Sequence, residues 1–220
     1  MKIRSPIQPK RNSERPQNER LILDLVRRHG ELSKAEIARA TKLSAQSATV
    51  IVNRLVDDGM LKAGKSVRGK VGQPSTPYRL NPLGAASVGM KVGRRSAEIV
   101  TMAYDYSIIE HRAVRYDYPD FENLRDKLTE IARELIEALP HQQAQAIQGV
   151  GLAIPDALWS WESSIGAPKG AMDNWREANL RHVLEEALGL EILEMNDATA
   201  ASLASLRLGA GKHVSSMVYL

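Results

Sequence analysis

The 220-residue sequence contains no cysteine, which excludes a disulfide framework, a thiol nucleophile and a cysteine-ligated zinc site. No stretch approaches the roughly 18 consecutive apolar residues that a membrane span requires. The first twenty residues are basic and polar, without the apolar run of a signal peptide. Histidine is sparse: His29, His111, His141, His182 and His213 are scattered with no ligand spacing, so they are expected to be solvated or packing residues. No Ser-His-Asp order is legible either. These absences leave a soluble, cytoplasmic protein with no membrane partner, no metal and no cofactor. What is present is ordinary for a buried core: 43% hydrophobic residues, over a length that suits one large domain or two modest ones.

Charge divides the chain. Residues 1–80 hold 17 Lys and Arg against 7 Asp and Glu, a net of +10, whereas residues 81–220 hold 13 against 19, a net of −6. Such asymmetry points to an N-terminal part that meets a polyanion and a C-terminal part that does not. A basic solvated face would show the same charge, so the pattern of side chains has to decide.

Within the basic half, Leu21, Ile22, Leu25 and Val26 alternate with Arg20, Asp24, Arg27 and Arg28 at the period of an amphipathic helix, capped by Asn18 and stopped at Gly30. Ser33 caps a second helix over residues 34–40, and Thr41-Lys42-Leu43 breaks it. Ser44 then caps a longer helix that runs to about Asp58 and ends at Gly59. Three short helices, the last two about three residues apart, match a helix-turn-helix. In the third, Ala48, Ile51, Val52 and Leu55 pack inward, which leaves Gln46, Ser47, Thr49, Val50, Asn53 and Arg54 on the opposite or flanking faces. Small and amide side chains suit a major groove about 12 Å wide, where amides pair with base edges and methyl groups touch thymine. No acidic residue lies between Ser44 and Leu55. Double-stranded DNA is the expected partner.

Residues 60–63 and 76–80 are strand-like and flank a glycine-rich basic tip, as in a β-hairpin wing. The wing would carry Lys65, Arg68 and Lys70 to phosphate or into the minor groove, contacts that position a protein without specifying sequence. Residues 59–66 (Gly-Met-Leu-Lys-Ala-Gly-Lys-Ser) also satisfy the spacing of a phosphate-binding loop. A true loop of that kind follows a strand and opens a helix. Here a helix precedes it and glycines with a proline follow, so nucleotide binding is rejected. Residues 1–17 are expected to form a flexible basic arm that adds nonspecific attraction to DNA.

In the acidic half, residues 86–92, 97–104 and 108–116 read as three successive strands. A long amphipathic helix over 121–139, a strand over 145–154, a helix over 175–188, a strand over 191–195, a helix over 197–208 and an apolar strand over 214–220 follow. This order gives a mixed α/β sheet, which is also that of one lobe of the actin-like, ribonuclease-H-like kinases. Trp159 and Trp161 share one strand-like face, as core or sugar-stacking residues.

Taken in order, several segments resemble the ROK family (repressors, open reading frames, kinases), in which a winged helix-turn-helix is often fused to a sugar-kinase-like domain. Residues 43–61 resemble the family's recognition helix. Gly72-Gln73-Pro74 resembles its wing signature, with Gln73 where arginine is commoner. Residues 88–94 lie where the family has its first strand and phosphate loop, and residues 149–155 resemble the strand leading to the sugar site. Ala167-Pro168-Lys169, Asn174-Trp175 and the run from Asn196-Asp197 to Ala201 resemble the segments that close that site. The resemblance implies boundaries at 1–17 (arm), 18–81 (winged helix-turn-helix) and 82–220 (actin-like α/β lobe). It also adds Ser44 and Gln73 to the DNA-binding set.

In the family's kinases the Asn-Asp pair contacts sugar hydroxyls and the Asp accepts the proton of the attacked hydroxyl, so the resemblance makes Asn196 and Asp197 sugar-binding residues. The same two residues would also cap the helix that follows. Family kinases carry Asp-x-Gly-Gly-Thr at the end of the first strand, whereas this sequence has Lys91-Val92-Gly93-Arg94-Arg95. Lysine in place of a metal-facing carboxylate removes an oxygen ligand, and phosphoryl transfer depends on metal and positioning. The family's second phosphate loop, further Glu and His ligands and zinc motif are not found in this sequence, so a DNA-binding domain plus the first lobe only is expected. The function implied is a transcriptional regulator of carbohydrate metabolism, a repressor acting as a homodimer with a small-molecule sugar effector. The alternative is an ATP-dependent sugar kinase with an added DNA-binding domain.

Overall fold

The computed structural model describes residues 15–66 and 75–209. They fall into two compact units. The first takes in the chain up to Ala86 together with Ala103–Ser107 and His141–Ala146, and the second holds the remainder.

The first unit opens with helix α1, Gln17–His29, which buries Ile22, Leu23 and Val26. Leu21, expected on the apolar face, is 42% exposed, and Leu23 takes its place inside. The cap also differs from expectation. Asn18 lies within the first turn and Pro16, at φ −52°, starts the helix without a side-chain bond, because proline presets the backbone angle the turn needs. Gly30 ends α1 at φ 82°, donating its N–H to Val26 O. Strand β1 (Glu31–Ser33) leads directly into α2 (Lys34–Thr41). Ser33 and Glu36 form a reciprocal capping box there. Glu36 N–H donates to Ser33 Oγ (3.3 Å) and Ser33 N–H to Glu36 Oε2 (2.7 Å). Hydrogen bonds from the Ser33 hydroxyl and N–H hold the Glu36 carboxyl below its usual range.

Lys42, in the left-handed region at φ 58°, turns the chain into α3 (Ala45–Asp57). Ser44 caps α3 by accepting from Ser47 N–H (3.0 Å). Strands β2 (Leu61–Ala63) and β3 (Pro77–Leu80) complete an antiparallel sheet in the order β1-β3-β2, with Leu32 opposite Tyr78 and Lys62 opposite Arg79. Ala48, Val52 and Leu55 of α3 close onto Ile22, Leu23, Val26 and Ile37. Each large aliphatic side chain removed from water in this way contributes roughly 1.5–3 kcal/mol, which presses one face of α3 inward and leaves the other free.

The second unit is a five-stranded sheet in the order β6-β5-β4-β7-β8. The strands are β4 (Ala86–Val92), β5 (Ser96–Ala103), β6 (Ile108–Arg115), β7 (Ile147–Ile154) and β8 (Ile192–Asn196). β5 and β6 pair antiparallel, Ser96 opposite Arg115, while β7 and β8 run parallel, Val150 opposite Ile192. The sheet is therefore mixed, as the order of elements requires. Helix α4 (Phe121–Glu137) buries Phe121, Leu124, Leu128, Ala132 and Leu135 at helical spacing. Val88, Met90, Ile99, Val150, Leu152 and Ile192 share that core. Gly149 is a position only glycine fills, since a Cβ there would sit 2.9 Å from the carbonyl oxygen of Glu191.

Three expected elements are redrawn. Strand β7 begins later than residue 145 because His141–Gln145 forms a helical turn, α5. Trp159 and Trp161 lie in a 3₁₀ turn, Leu158–Trp161, followed by α6 (Glu162–Ile165), and not in a strand. The helix expected over 175–188 is two, α7 (Asn174–Glu177) and α8 (Leu180–Leu188). Asn179 breaks them by accepting from His182 N–H (3.0 Å), the bond an asparagine cap prefers to a mid-helix position. Helix α9 spans Asp197–Leu208. The expected strand over 214–220 lies outside the described residues. Among the described residues no helix is long and apolar enough to cross a membrane.

Candidate nucleic-acid interface

Helix α3 presents Gln46, Val50 and Asn53 as an exposed stripe, with Ser47 and Arg54 on one flank and the half-buried Thr49 on the other. Val50 is 54% exposed, an aliphatic side chain held in water in the middle of a polar row. Ser44 is engaged as the helix cap, and its hydroxyl also meets the Ser47 hydroxyl (2.9 Å). Lys65 is exposed just beyond β2. Arg68, Lys70 and Gln73 lie outside the described residues. Residues 59–66 contain β2 in place of the continuous loop that would wrap a phosphate. That segment accordingly forms the root of the hairpin, where Gly64 N–H donates to Pro77 O (2.8 Å).

Two sets of polar contacts brace α3. Lys34, the first residue of α2, donates from Nζ to Asn53 Oδ1 at 2.7 Å and stands 5.3 Å from the ring centre of Tyr78. At the other end, Glu19 is only 4% exposed and receives Arg15 (3.2 Å) and Arg54 (3.4 Å), while Arg15 also reaches Asp58 at 2.9 Å. Arg15, placed by sequence in a flexible arm, is itself 4% exposed and built into the fold. Sequence reasoning missed Lys34, Arg15 and Glu19. Asn53, Arg54 and Asp58 are remote in the chain from the residues they meet, whereas the four-residue spacing of Arg15 and Glu19 was a local signal that could have found that pair.

In the second unit, Asn196 ends β8 and Asp197 starts α9. Asn196 Oδ1 accepts from Ala198 N–H (3.0 Å) and Thr199 N–H (3.2 Å), and Asp197 Oδ1 accepts from Ala198 N–H (2.9 Å). The remaining end of the Asn196 carboxamide donates to Asp156 Oδ2 (3.0 Å). Asn196 and Asp156 line a cleft of about 680 Å³ at the carboxyl ends of β7 and β8, together with Trp159, Arg176, Asn179 and Glu194; Asp197 is not part of that lining. Lys91 is exposed near the end of β4. In the turn after it, Arg94 stands 4.2 Å from the ring centre of Trp161, and Arg95 donates to the carbonyls of Asp117 (2.8 Å) and Ile165 (2.9 Å). Backbone N–H groups of Gly170 and Met172 hold the Glu162 carboxyl below its ordinary range, tying that loop to α6.

Comparison with known proteins assigns a family to this architecture. Residues 16–70 match the model of the MarR family, and residues 87–220 match that of the ROK family. A putative xylose repressor of Caldicellulosiruptor sp. is 23% identical over 205 residues, covering 92% of this chain and 50% of that protein. A transcriptional regulator of Mycobacterium tuberculosis is 26% identical over 191 residues, covering 86% and 42%. The chain thus spans about half the length of the curated relatives it matches. The crystal structure of a ROK family transcriptional regulator, a homolog of the E. coli MLC protein, superposes with a TM-score of 0.57 at 17% identity, covering 90% of this chain and 49% of that one. It supports the same fold, a winged helix joined to an actin-like mixed α/β lobe. With its ROK model matched from residue 87 to 220, the chain belongs to the ROK family.

Proposed function

We propose that the chain is a sequence-specific, DNA-binding transcriptional regulator of carbohydrate metabolism, a repressor that acts as a homodimer. In this reading residues 18–81 bind DNA and residues 82–220 form a degenerate sugar-kinase-like lobe that senses a sugar. The observation that carries it is the two-sidedness of α3: Ala48, Val52 and Leu55 are buried, while an uncharged row of Gln46, Val50 and Asn53 faces outward in the half of the chain with net charge +10. Such a row suits base edges, and the cationic wing supplies phosphate contacts. The relatives' names, a putative xylose repressor and a transcriptional regulator, support regulation over catalysis.

The cleft lined by Asn196 and Asp156 at the strand ends is where the sugar would bind, reached by Asn196 of the pair that resembles the family's sugar ligands, with Asp197 adjoining it at the start of α9. Exposed Lys91 offers an ammonium where a kinase would offer a carboxylate to a metal, which favours sensing over phosphoryl transfer. A sugar would lower operator affinity only by the difference in its affinity for the DNA-competent and DNA-incompetent arrangements.

The groove and wing roles are separable by experiment. Gln46→Ala is expected to relax base preference at one position, losing about 1–3 kcal/mol of discrimination there. Lys65→Ala should weaken all duplexes about equally. Fluorescence anisotropy on a panel of single-base operator variants distinguishes the two, and identical behaviour of the two variants would contradict the assignment.

A further inference from the structure

The contact between Lys34 and Asn53 fixes which atoms of Asn53 remain available to DNA. An ammonium can only donate, so the atom 2.7 Å from Lys34 Nζ is the amide oxygen, and Nδ2 with its two hydrogens is left on the exposed side. An asparagine reads adenine by using both ends of its amide, accepting from the adenine amino group and donating to N7. Here Oδ1 already receives Lys34, and an amino group approaching its second lone pair would meet the ammonium's positive charge. Guanine presents the reverse pattern. Its O6 and N7 are both acceptors, matched by Nδ2 and by the unused N–H groups of Lys34. The Tyr78 ring, 5.3 Å from Nζ, keeps the lysine over this spot.

We infer that Lys34 and Asn53 act as one donor-only reading head that selects guanine over adenine at one base pair in each half-site. Lys34 is the specificity-determining partner, although it lies on α2 and outside the recognition helix. This inference rests on the DNA-binding reading of α3 above and adds to it the identity of a base.

The test is selection of bound sequences from a randomised duplex pool by the full chain, followed by competition between single-base variants. Guanine should be preferred on the order of tenfold or more at one position, and Asn53→Ala should erase preference there alone. Lys34→Met and Lys34→Ala free the amide oxygen, so preference at that position should move toward adenine, while Lys34→Arg, which keeps a donor, should retain guanine. Adenine at the Asn53-dependent position in the unmodified chain, or an unchanged preference in both the Met and Ala variants, would overturn the inference and leave the DNA-binding reading standing. Equal weakening of every duplex by Asn53→Ala would do the same, since it would put Asn53 on the backbone. Recovery of no duplex at all would overturn both.

Discussion

Glu19→Ala should unfold the helix-turn-helix or bring it to the edge of unfolding. The carboxylate is almost wholly enclosed, and the substitution leaves Arg15, whose side chain is 2% exposed, without the partner at 3.2 Å. Removing one member of a buried ion pair costs roughly 3–5 kcal/mol, because the charge left behind stays desolvated. Against a total stability of about 5–15 kcal/mol, that is a large share. Asp58 still reaches Arg15 but is 41% exposed, so its attraction is screened by water and cannot replace Glu19. The exposed Arg54 is a secondary partner, and Arg54→Ala should cost far less than Glu19→Ala. Replacing Arg15 and Glu19 together by Met and Leu should recover most of the loss, since a well-packed apolar pair removes the stranded charge. Urea unfolding followed by circular dichroism checks the series. Equal stability of Glu19→Ala and the unmodified chain would show that the network contributes nothing.

Val50→Glu should abolish DNA binding and leave the fold intact. Val50 is more than half exposed and contributes little to the core, so the midpoint of unfolding should move by no more than about 0.5 kcal/mol equivalent. In a groove walled by phosphates, however, the new carboxylate meets like charge, and such juxtapositions cost several kcal/mol. The affinity should fall on the order of a hundredfold or more. Val50→Ala, which only removes methyl contacts, should cost much less. Anisotropy titrations against one duplex, paired with unfolding curves, separate the two effects. Retained affinity in Val50→Glu would place the groove-facing surface elsewhere.

These two substitutions also mark where the sequence was legible and where it was not. The face of α3 that carries Val50 could be read from helical periodicity, because the burial of Ala48, Val52 and Leu55 is a local, repeating signal. For the same reason β4 at Ala86–Val92, whose buried positions alternate, falls where its pattern places it, whereas α9 at Asp197–Leu208 buries none of its residues and was marked by the Asn196-Asp197 cap that starts it. The three-residue β1 has too few positions to show alternation, and it exists because β3 offers it a ladder. The split between α7 and α8 turns on Asn179 preferring a cap to a helical interior, a choice the apolar spacing of 175–188 conceals. Hardest to read were the braces. Glu19 looks like a solvated first-turn acid and Lys34 like a surface cation, and only tertiary structure brings Arg54 to one and Asn53 to the other. In the cleft, Asn196 was singled out only by resemblance, and its partner Asp156, 40 residues away, carried no signal in the sequence.

The basic half either engages duplex DNA through its phosphates or it does not, and a salt titration decides the matter. Association of the full chain with a labelled duplex should fall linearly in a plot of log affinity against log salt, at a slope of about 0.9 for each phosphate neutralised, and Lys65→Ala should lower that slope by about 1. Binding to no duplex at any ionic strength, or binding indifferent to salt, would contradict the assignment of residues 18–81 as a DNA-binding domain.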